Sequence, residues 1–144
     1  MRPAMVLRSL SAAGVALLAA SVLFSCGTPR VAISTGVSPE EKGLIQESVF
    51  FLDRASSRRL EVAALNTSRD VNNRLQVQVR LRNRLPSDFS FVYYFEWLEE
   101  GGWVTPKGTA TWNPELIYGH GMKELKGVAP SPFTARFRLQ IKQK

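Results

Sequence analysis

His120 and a group of three glutamates are the residues whose chemistry could support a reaction. A hydrolytic triad needs a base and an orienting group beside its nucleophile, but the only histidine lies between two glycines, which favour a flexible loop. Glu96, Glu99 and Glu100 flank a predicted turn. Solvated carboxylates there lack the contrasting environments that separate a general acid from a general base. One His and one Cys are too few for the usual zinc ligand sets, so the sequence predicts no catalytic residue, metal or cofactor.

Cys26, the only cysteine, ends an apolar N-terminal run. Arg2 and Arg8 precede an uncharged stretch over residues 9–25, which suits a secretory signal and is short for a transmembrane span. With Leu at −3 and Ser at −1, the run resembles the lipobox of bacterial lipoproteins. The resemblance implies a signal peptide over 1–25 and a diacylglyceryl thioether on Cys26, followed by acylation of the new amine. Such acyl chains hold a protein durably at a membrane.

Two other interpretations of this N-terminus stay open. It could be an ordinary secretory signal with an incidental cysteine, or a single uncleaved membrane anchor. Gly27 replaces the Asp that retains enteric lipoproteins at the inner membrane. We therefore expect delivery to the outer membrane, facing the periplasm, a compartment that excludes nucleic acid as a partner.

Basic residues dominate the charge of the chain. The net charge of +7 becomes +5 once Arg2 and Arg8 leave with the signal. Arg74, Arg80 and Arg82 occupy even positions and should project from one face of a strand. That face could bind anionic lipid headgroups, an acidic protein or an anionic glycan. Alternatively, it is an ordinary solvated face, partly paired with Glu96 or Glu99 on a neighbouring strand.

Large aromatic side chains provide the other candidate contacts. Every odd position from Phe89 to Trp97 is aromatic, which favours core packing over a glycan-stacking platform. Tyr94, Trp103 and Trp112 are predicted at the surface instead, because Trp103 and Trp112 flank a link that contains Gly and Pro. Exposed tryptophan and tyrosine often dominate binding energy at protein contacts, so these three residues are candidate partner-binding residues.

Alternating apolar and polar residues predict the elements that position these side chains. Arg74–Arg82 and Phe133–Lys142 alternate strictly, as strands with one buried face do. Residues 26–43 lack a period and predict a tether, so the folded domain is expected over 44–144. Short strands between turns, without long crossovers, indicate an all-β antiparallel sandwich. Its expected core contains Val77, Val79, Phe95, Trp97, Phe137 and Leu139.

Four segments in this order carry a family resemblance. They are Leu60-Glu61-Val62, Leu75–Asn83, Tyr94–Trp97 with the following Glu100-Gly101-Gly102 turn, and Val128-Ala129-Pro130 with Phe137-Arg138-Leu139. In order and spacing they resemble the YcfL-like periplasmic lipoproteins. The resemblance implies an immunoglobulin-like β-sandwich on a lipid anchor and no catalytic residues. It also implies a link to peptidoglycan or outer-membrane assembly, because some members are encoded near a lipoprotein activator of a peptidoglycan synthase.

Two classes of function remain after this reading. The first is a non-catalytic binding or scaffolding module of the cell envelope, attached to the membrane by its lipid and contacting another envelope protein or peptidoglycan. The second is an envelope enzyme that acts on peptidoglycan or lipid. The poverty in histidine, cysteine and clustered acids favours the first class.

Overall fold

The computed structural model describes residues 30–105 and 111–144, so Cys26 and the signal segment lie outside the described residues. Over these residues the chain forms eight strands and two helices. In chain order they are β1 Ala32–Ile33, α1 Pro39–Ser48, β2 Val49–Phe51, α2 Arg54–Arg59, β3 Leu60–Arg69, β4 Leu75–Asn83, β5 Phe89–Glu99, β6 Asn113–Ile117, β7 Met122–Val128 and β8 Thr134–Gln143.

The strands form two four-stranded sheets. Sheet A has the order β1-β3-β4-β7 and sheet B the order β2-β8-β5-β6. The predicted β-sandwich is confirmed, but the sheets are mixed and not wholly antiparallel, because β1 runs parallel to β3 and β2 parallel to β8. Parallel neighbours require a crossover connection. In the chain, α1 and α2 lie between β1 and its partner β3, and α2 follows β2 on the way to its partner β8.

The ordered fold begins earlier than the sequence predicted. The proposed tether over 26–43 is wrong from residue 32 onward, where β1 and the start of α1 lie, and Val37 is buried in the core. Ser38 caps α1 by accepting a hydrogen bond from the Glu41 N–H, and Pro39 occupies the first helical position, as is typical of helix starts. The Glu41 carboxylate also accepts from the Leu65 N–H at 2.7 Å, which fixes α1 against β3.

The predicted core is largely confirmed. Val77, Val79, Phe137 and Leu139 are buried, whereas Phe95 and Trp97 are only partly buried and pack against the core from its margin. Phe95 is accommodated by Gly127 of β7, where a Cβ atom would lie 2.8 Å from the ring. β5 lies between β8 and β6 at the centre of sheet B.

A β-bulge changes the predicted register at the start of β8. Leu98 pairs with Arg136, but the next residue, Glu99, pairs with Thr134, so one residue of β8 has no opposite partner. Such an extra residue reverses the inward and outward positions on either side of it. Thr134 is therefore buried, whereas Phe133, expected on the buried face, precedes the strand and is 77% exposed.

The two ends of the sandwich differ in structure. We call one the α2 end: it contains α2 and the loops 84–88 and 118–121, which the buried Asn83 joins through hydrogen bonds to Ser87 and Tyr118. The opposite hairpin end contains the turn at 100–102 and the turns 70–74 and 129–133. Arg69 joins β3 to β8 there by donating to the Thr134 carbonyl oxygen at 3.1 Å.

Candidate functional site

The predicted basic face lies on the outer side of sheet A, and its arginines are paired. Arg80 contacts Glu124 at 2.6 Å, and Arg82 contacts Glu61 at 3.5 Å. Arg74, just before β4, contacts Asp70 at 2.8 Å. The sequence predicted Glu96 or Glu99 as a partner of these arginines. That prediction was wrong because β4 and β5 belong to different sheets. Glu96 instead accepts from Arg138 at 3.3 Å.

The environment of this face favours the ionised form of two of its carboxylates. The hydrogen bond from Arg80 lowers the pKa of Glu124 below its usual value. The backbone N–H of Arg74, more than its guanidinium, lowers the pKa of Asp70. The ion pairs of the three arginines reduce the positive charge that the face presents to an anionic partner. Binding through Arg74, Arg80 and Arg82 stays a prediction.

Two of the three predicted aromatic residues meet on the outer face of sheet B. The Tyr94 and Trp112 rings contact edge to face, with centroids 4.6 Å apart. The Lys142 ammonium lies 4.3 Å from the centre of the Trp112 ring, within the range of a cation–π interaction. We call Tyr94, Trp112 and Lys142 the aromatic platform.

The strand register explains how these three residues come together. In sheet B the central β5 pairs with β8 on one side and β6 on the other. Tyr94 pairs with Gln140 of β8. Val92, two residues earlier on the same face of β5, pairs with Lys142, so Lys142 lies diagonally across from Tyr94. Trp112 directly precedes β6, whose first residue pairs with Tyr93. Sequence reasoning missed Lys142, and only the β5–β8 register could have identified it.

The platform presents ring faces, a phenol hydroxyl and a cation side by side. All three side chains are half-buried, and burial, with a contribution from the negative charge of Glu96, raises the pKa of Tyr94. The phenol therefore stays protonated and can donate a hydrogen bond. Aromatic rings held rigidly beside polar groups give contact area at low entropic cost, so the arrangement suits a sugar ring or an amphipathic protein surface.

Trp103 lies away from this platform, at the hairpin end. The predicted tight turn is present: Gly101 and Gly102 have φ of 95° and 84°, and the Glu99 N–H donates to the Trp103 carbonyl oxygen. The Trp103 side chain is 78% exposed. Phe133 is exposed at the same end. The sequence did not identify it as a surface residue, because the alternation that begins at Phe133 placed it on the buried face of the strand.

The residues considered for catalysis do not converge. His120 is an exposed loop residue with φ of 52°, and its backbone N–H donates to the Leu85 carbonyl oxygen. Within residues 30–105 and 111–144, no three His, Cys, Asp or Glu side chains are grouped as metal ligands.

A cavity of about 210 Å³ between α1 and the start of β8 is lined by Glu47, Arg136 and Arg138 among other residues. In the same ranges, no helix is both long and apolar enough to cross a membrane.

Solved structures of similar fold come from two bacteria. The first is a DUF1425 family member from Shewanella sp. pv-4, with a TM-score of 0.54 and 18% identity over 59% of this chain and 78% of that chain. The second is cj0090 of Campylobacter jejuni, with a TM-score of 0.51 and 17% identity over 81% of this chain and 99% of that chain. At these identities the likeness shows the fold alone.

A family model provides the assignment. No curated protein matches the sequence, but the model described as "Protein of unknown function (DUF1425)" matches residues 47–143. That range runs from the end of α1 through β8 and includes every strand of the two sheets except β1. On this evidence the chain belongs to the DUF1425 family.

Proposed function

We propose that this protein is an exported, lipid-anchored module of the cell envelope that binds another envelope component without catalysing a reaction. The aromatic platform is the observation that carries the proposal. Its Tyr94 and Trp112 ring centroids are 4.6 Å apart on the outer face of sheet B, with Lys142 above the indole. A preorganised cluster of this kind costs little entropy to bind with, which supports a recognition role.

The sequence supports the location of this module. Cys26, the lipobox-like residues before it and Gly27 after it favour a lipid anchor in the outer membrane, facing the periplasm. The YcfL-like resemblance is compatible with membership of the DUF1425 family and points to a role in peptidoglycan or outer-membrane assembly. Another envelope protein or peptidoglycan is therefore the partner that we expect.

The anchor is tested by replacing its sulfur. Cys26→Ala removes the only thiol that can accept a diacylglyceryl group. In this class of protein, transfer of the diacylglyceryl group to the sulfur precedes cleavage of the signal peptide. We expect complete loss of metabolic labelling with radioactive palmitate and the appearance of unprocessed or soluble protein. The measurement is labelling followed by membrane fractionation. If correctly cleaved Ala variant remains in the membrane fraction, the lipid does not provide the anchor.

The platform is tested by Trp112→Ala. Removing the indole also frees Lys142 and leaves Tyr94 without its edge contact, and an aromatic anchor at an interface is commonly worth 2 kcal/mol or more, about thirtyfold in affinity. We expect binding to purified peptidoglycan, or the yield of an adduct formed by in-cell crosslinking, to fall at least about tenfold. Co-sedimentation and quantitative mass spectrometry measure the two.

Leu116→Ala provides the matched control, because Leu116 is an exposed apolar residue of β6 in the same sheet. It should leave both readouts near the wild-type level. Equal losses for the two variants, or wild-type binding by Trp112→Ala, would show that the platform is not the contact.

A further inference from the structure

Arginines without ion-pair partners are concentrated at the α2 end. Arg30, Arg54, Arg58 and Arg84 are exposed. Within the described ranges none of their side chains forms a salt bridge, in contrast to the paired arginines of sheet A. Their charge is therefore available to an outside partner, while that of the sheet A face is mostly compensated.

The acidic residues of the α2 end are already engaged. Asp53 caps α2 by accepting from Ser56, and it also accepts from the Gln143 N–H at 2.7 Å. Asp88 accepts from the Gly119 N–H, and Glu61 contacts Arg82. Hydrogen bonds from neutral N–H groups leave the charges of Asp53 and Asp88 in place, but the four exposed arginines outnumber these two carboxylates, so the surface of this end is basic.

The described chain begins among these arginines. The Ser57 hydroxyl donates to the Arg30 carbonyl oxygen at 3.0 Å, which fixes Arg30 against α2. Arg54 and Arg58 are four residues apart and lie on the helix face that includes Ser57. The point where the N-terminal segment leaves the sandwich is therefore bordered by Arg54 and Arg58.

Apolar side chains are exposed at this end as well. Leu52 is 47% exposed and lies in the groove beside Arg30. Tyr118 and Met122 are 68% and 51% exposed and lie across the α2 end, at the opposite edges of the two sheets. A groove of about 560 Å³ runs from Arg30 and Val31 along residues 49–52. Exposed apolar and aromatic residues mixed with arginines are typical of surfaces that rest in the headgroup region of a bilayer.

The length of chain between anchor and fold limits where a membrane can lie. Three residues lie between Cys26 and Arg30, and the four steps from one residue to the next span no more than about 14 Å even when fully extended. This step rests on the proposed function, because it requires the lipid on Cys26. With that lipid inserted, the α2 end is the part of the fold that the short connection brings to the membrane.

We propose that the α2 end docks on the anionic bilayer surface, with Arg30, Arg54 and Arg58 among lipid phosphates and Leu52 at the headgroup boundary. Exposed charges act over about 8 Å at physiological ionic strength, so a domain held this closely experiences the surface potential. β4 and β5 have 9 and 11 residues, or about 30–36 Å of strand. Docking in this way directs the hairpin end, with Trp103 and Phe133, away from the membrane.

The test measures the distance of each end from the bilayer in the lipidated full protein. Because Cys26 is the only cysteine and its sulfur is blocked by the thioether to the lipid, a single introduced cysteine accepts a nitroxide label. Gln46→Cys labels the groove and Val71→Cys labels the hairpin end. In vesicles of phosphatidylethanolamine and phosphatidylglycerol that contain a nickel-chelating lipid, we expect strong relaxation of the label at 46 and little at 71.

Charge removal tests the cause of docking. Arg54→Gln with Arg58→Gln should lower the ratio of docked to undocked protein about 25-fold, since each basic residue near an anionic surface is worth about fivefold. Lys126→Gln with Arg136→Gln is the matched control and should change the ratio little, because it removes the same amount of charge from exposed residues nearer the hairpin end. Replacing phosphatidylglycerol by phosphatidylcholine should act like the first double variant.

The outcomes separate this proposal from the anchor on which it rests. Mass spectrometry of the N-terminal peptide first reports the lipid on Cys26. If the lipid is present but labels at 46 and 71 relax equally, or if the two double variants behave alike, docking by the α2 end is wrong and the anchor stands. If the lipid is absent, the proposed function and the docking both fail.

Discussion

Asn83→Ala is expected to remove a large part of the free energy of unfolding. The Asn83 side chain is fully buried at the end of β4. Its amide nitrogen donates to the carbonyl oxygens of Ser87 at 2.8 Å and Tyr118 at 3.1 Å, and its oxygen accepts from the Leu85 N–H. The Asn83 side chain thus satisfies backbone groups of both loops. Among the described residues no other side chain of β4 bonds to these loops.

The size of the effect follows from the groups left behind. Removing the amide leaves two carbonyl oxygens and one N–H without their partner. These groups are part-buried, so the cost of each lies toward the lower end of the about 1–3 kcal/mol typical of an unsatisfied buried group. We expect a loss of about 3–5 kcal/mol, against a total of about 5–15 kcal/mol for a native domain. Urea denaturation followed by tryptophan fluorescence measures it. Asn83→Asp should be at least as harmful, because it directs a carboxylate oxygen at two carbonyl oxygens.

Asn66→Ala is the control for this prediction. Asn66 lies in β3 and is exposed, so its replacement should change the free energy of unfolding by less than about 0.5 kcal/mol. If Asn83→Ala and Asn66→Ala unfold at the same urea concentration, the Asn83 hydrogen bonds do not hold the two loops.

The sandwich was predictable because alternation reports burial directly. β4 alternates over its whole length, and every odd residue from Leu75 to Asn83 is buried. The same signal failed for α1, because only Ile45 and Ser48 are buried in that helix and its outer face is polar. Ser38-Pro39 is a typical helix start, but no apolar stripe follows it in the sequence.

The candidate contacts were predictable as residue types and not as neighbours. Tyr94 and Trp112 were correctly assigned outside the core, but their contact depends on the pairing of β5 with β6. The partners of Arg80 and Arg82 depend on which strands share a sheet, and alternation carries no such information. Strand order is decided by the packing of the whole chain, so the ion pairs were beyond the reach of local patterns.

Phe137→Ala is expected to cost nearly as much stability as Asn83→Ala. Phe137 is 4% exposed in β8, opposite Trp97 of β5 and 6.2 Å from the Phe95 ring. Truncating a buried phenylalanine removes its contacts and leaves a cavity that the neighbours fill only in part, which typically costs about 3–5 kcal/mol. Thermal and urea denaturation of the variant should both show the loss.

Phe133→Ala is the matched variant that tests the register of β8. Strict alternation from Phe133 to Ile141 would bury Phe133 as deeply as Phe137, and both truncations would then be severe. The bulge opposite Leu98 instead turns Thr134 inward and leaves Phe133 exposed, so its removal should change the free energy of unfolding by about 0.5 kcal/mol or less. A severe loss of stability from Phe133→Ala would show that β8 has no bulge and that Phe133 is buried in a strictly alternating strand. It would also remove Phe133 from the exposed residues of the hairpin end, whereas a mild effect leaves that ring accessible to a partner.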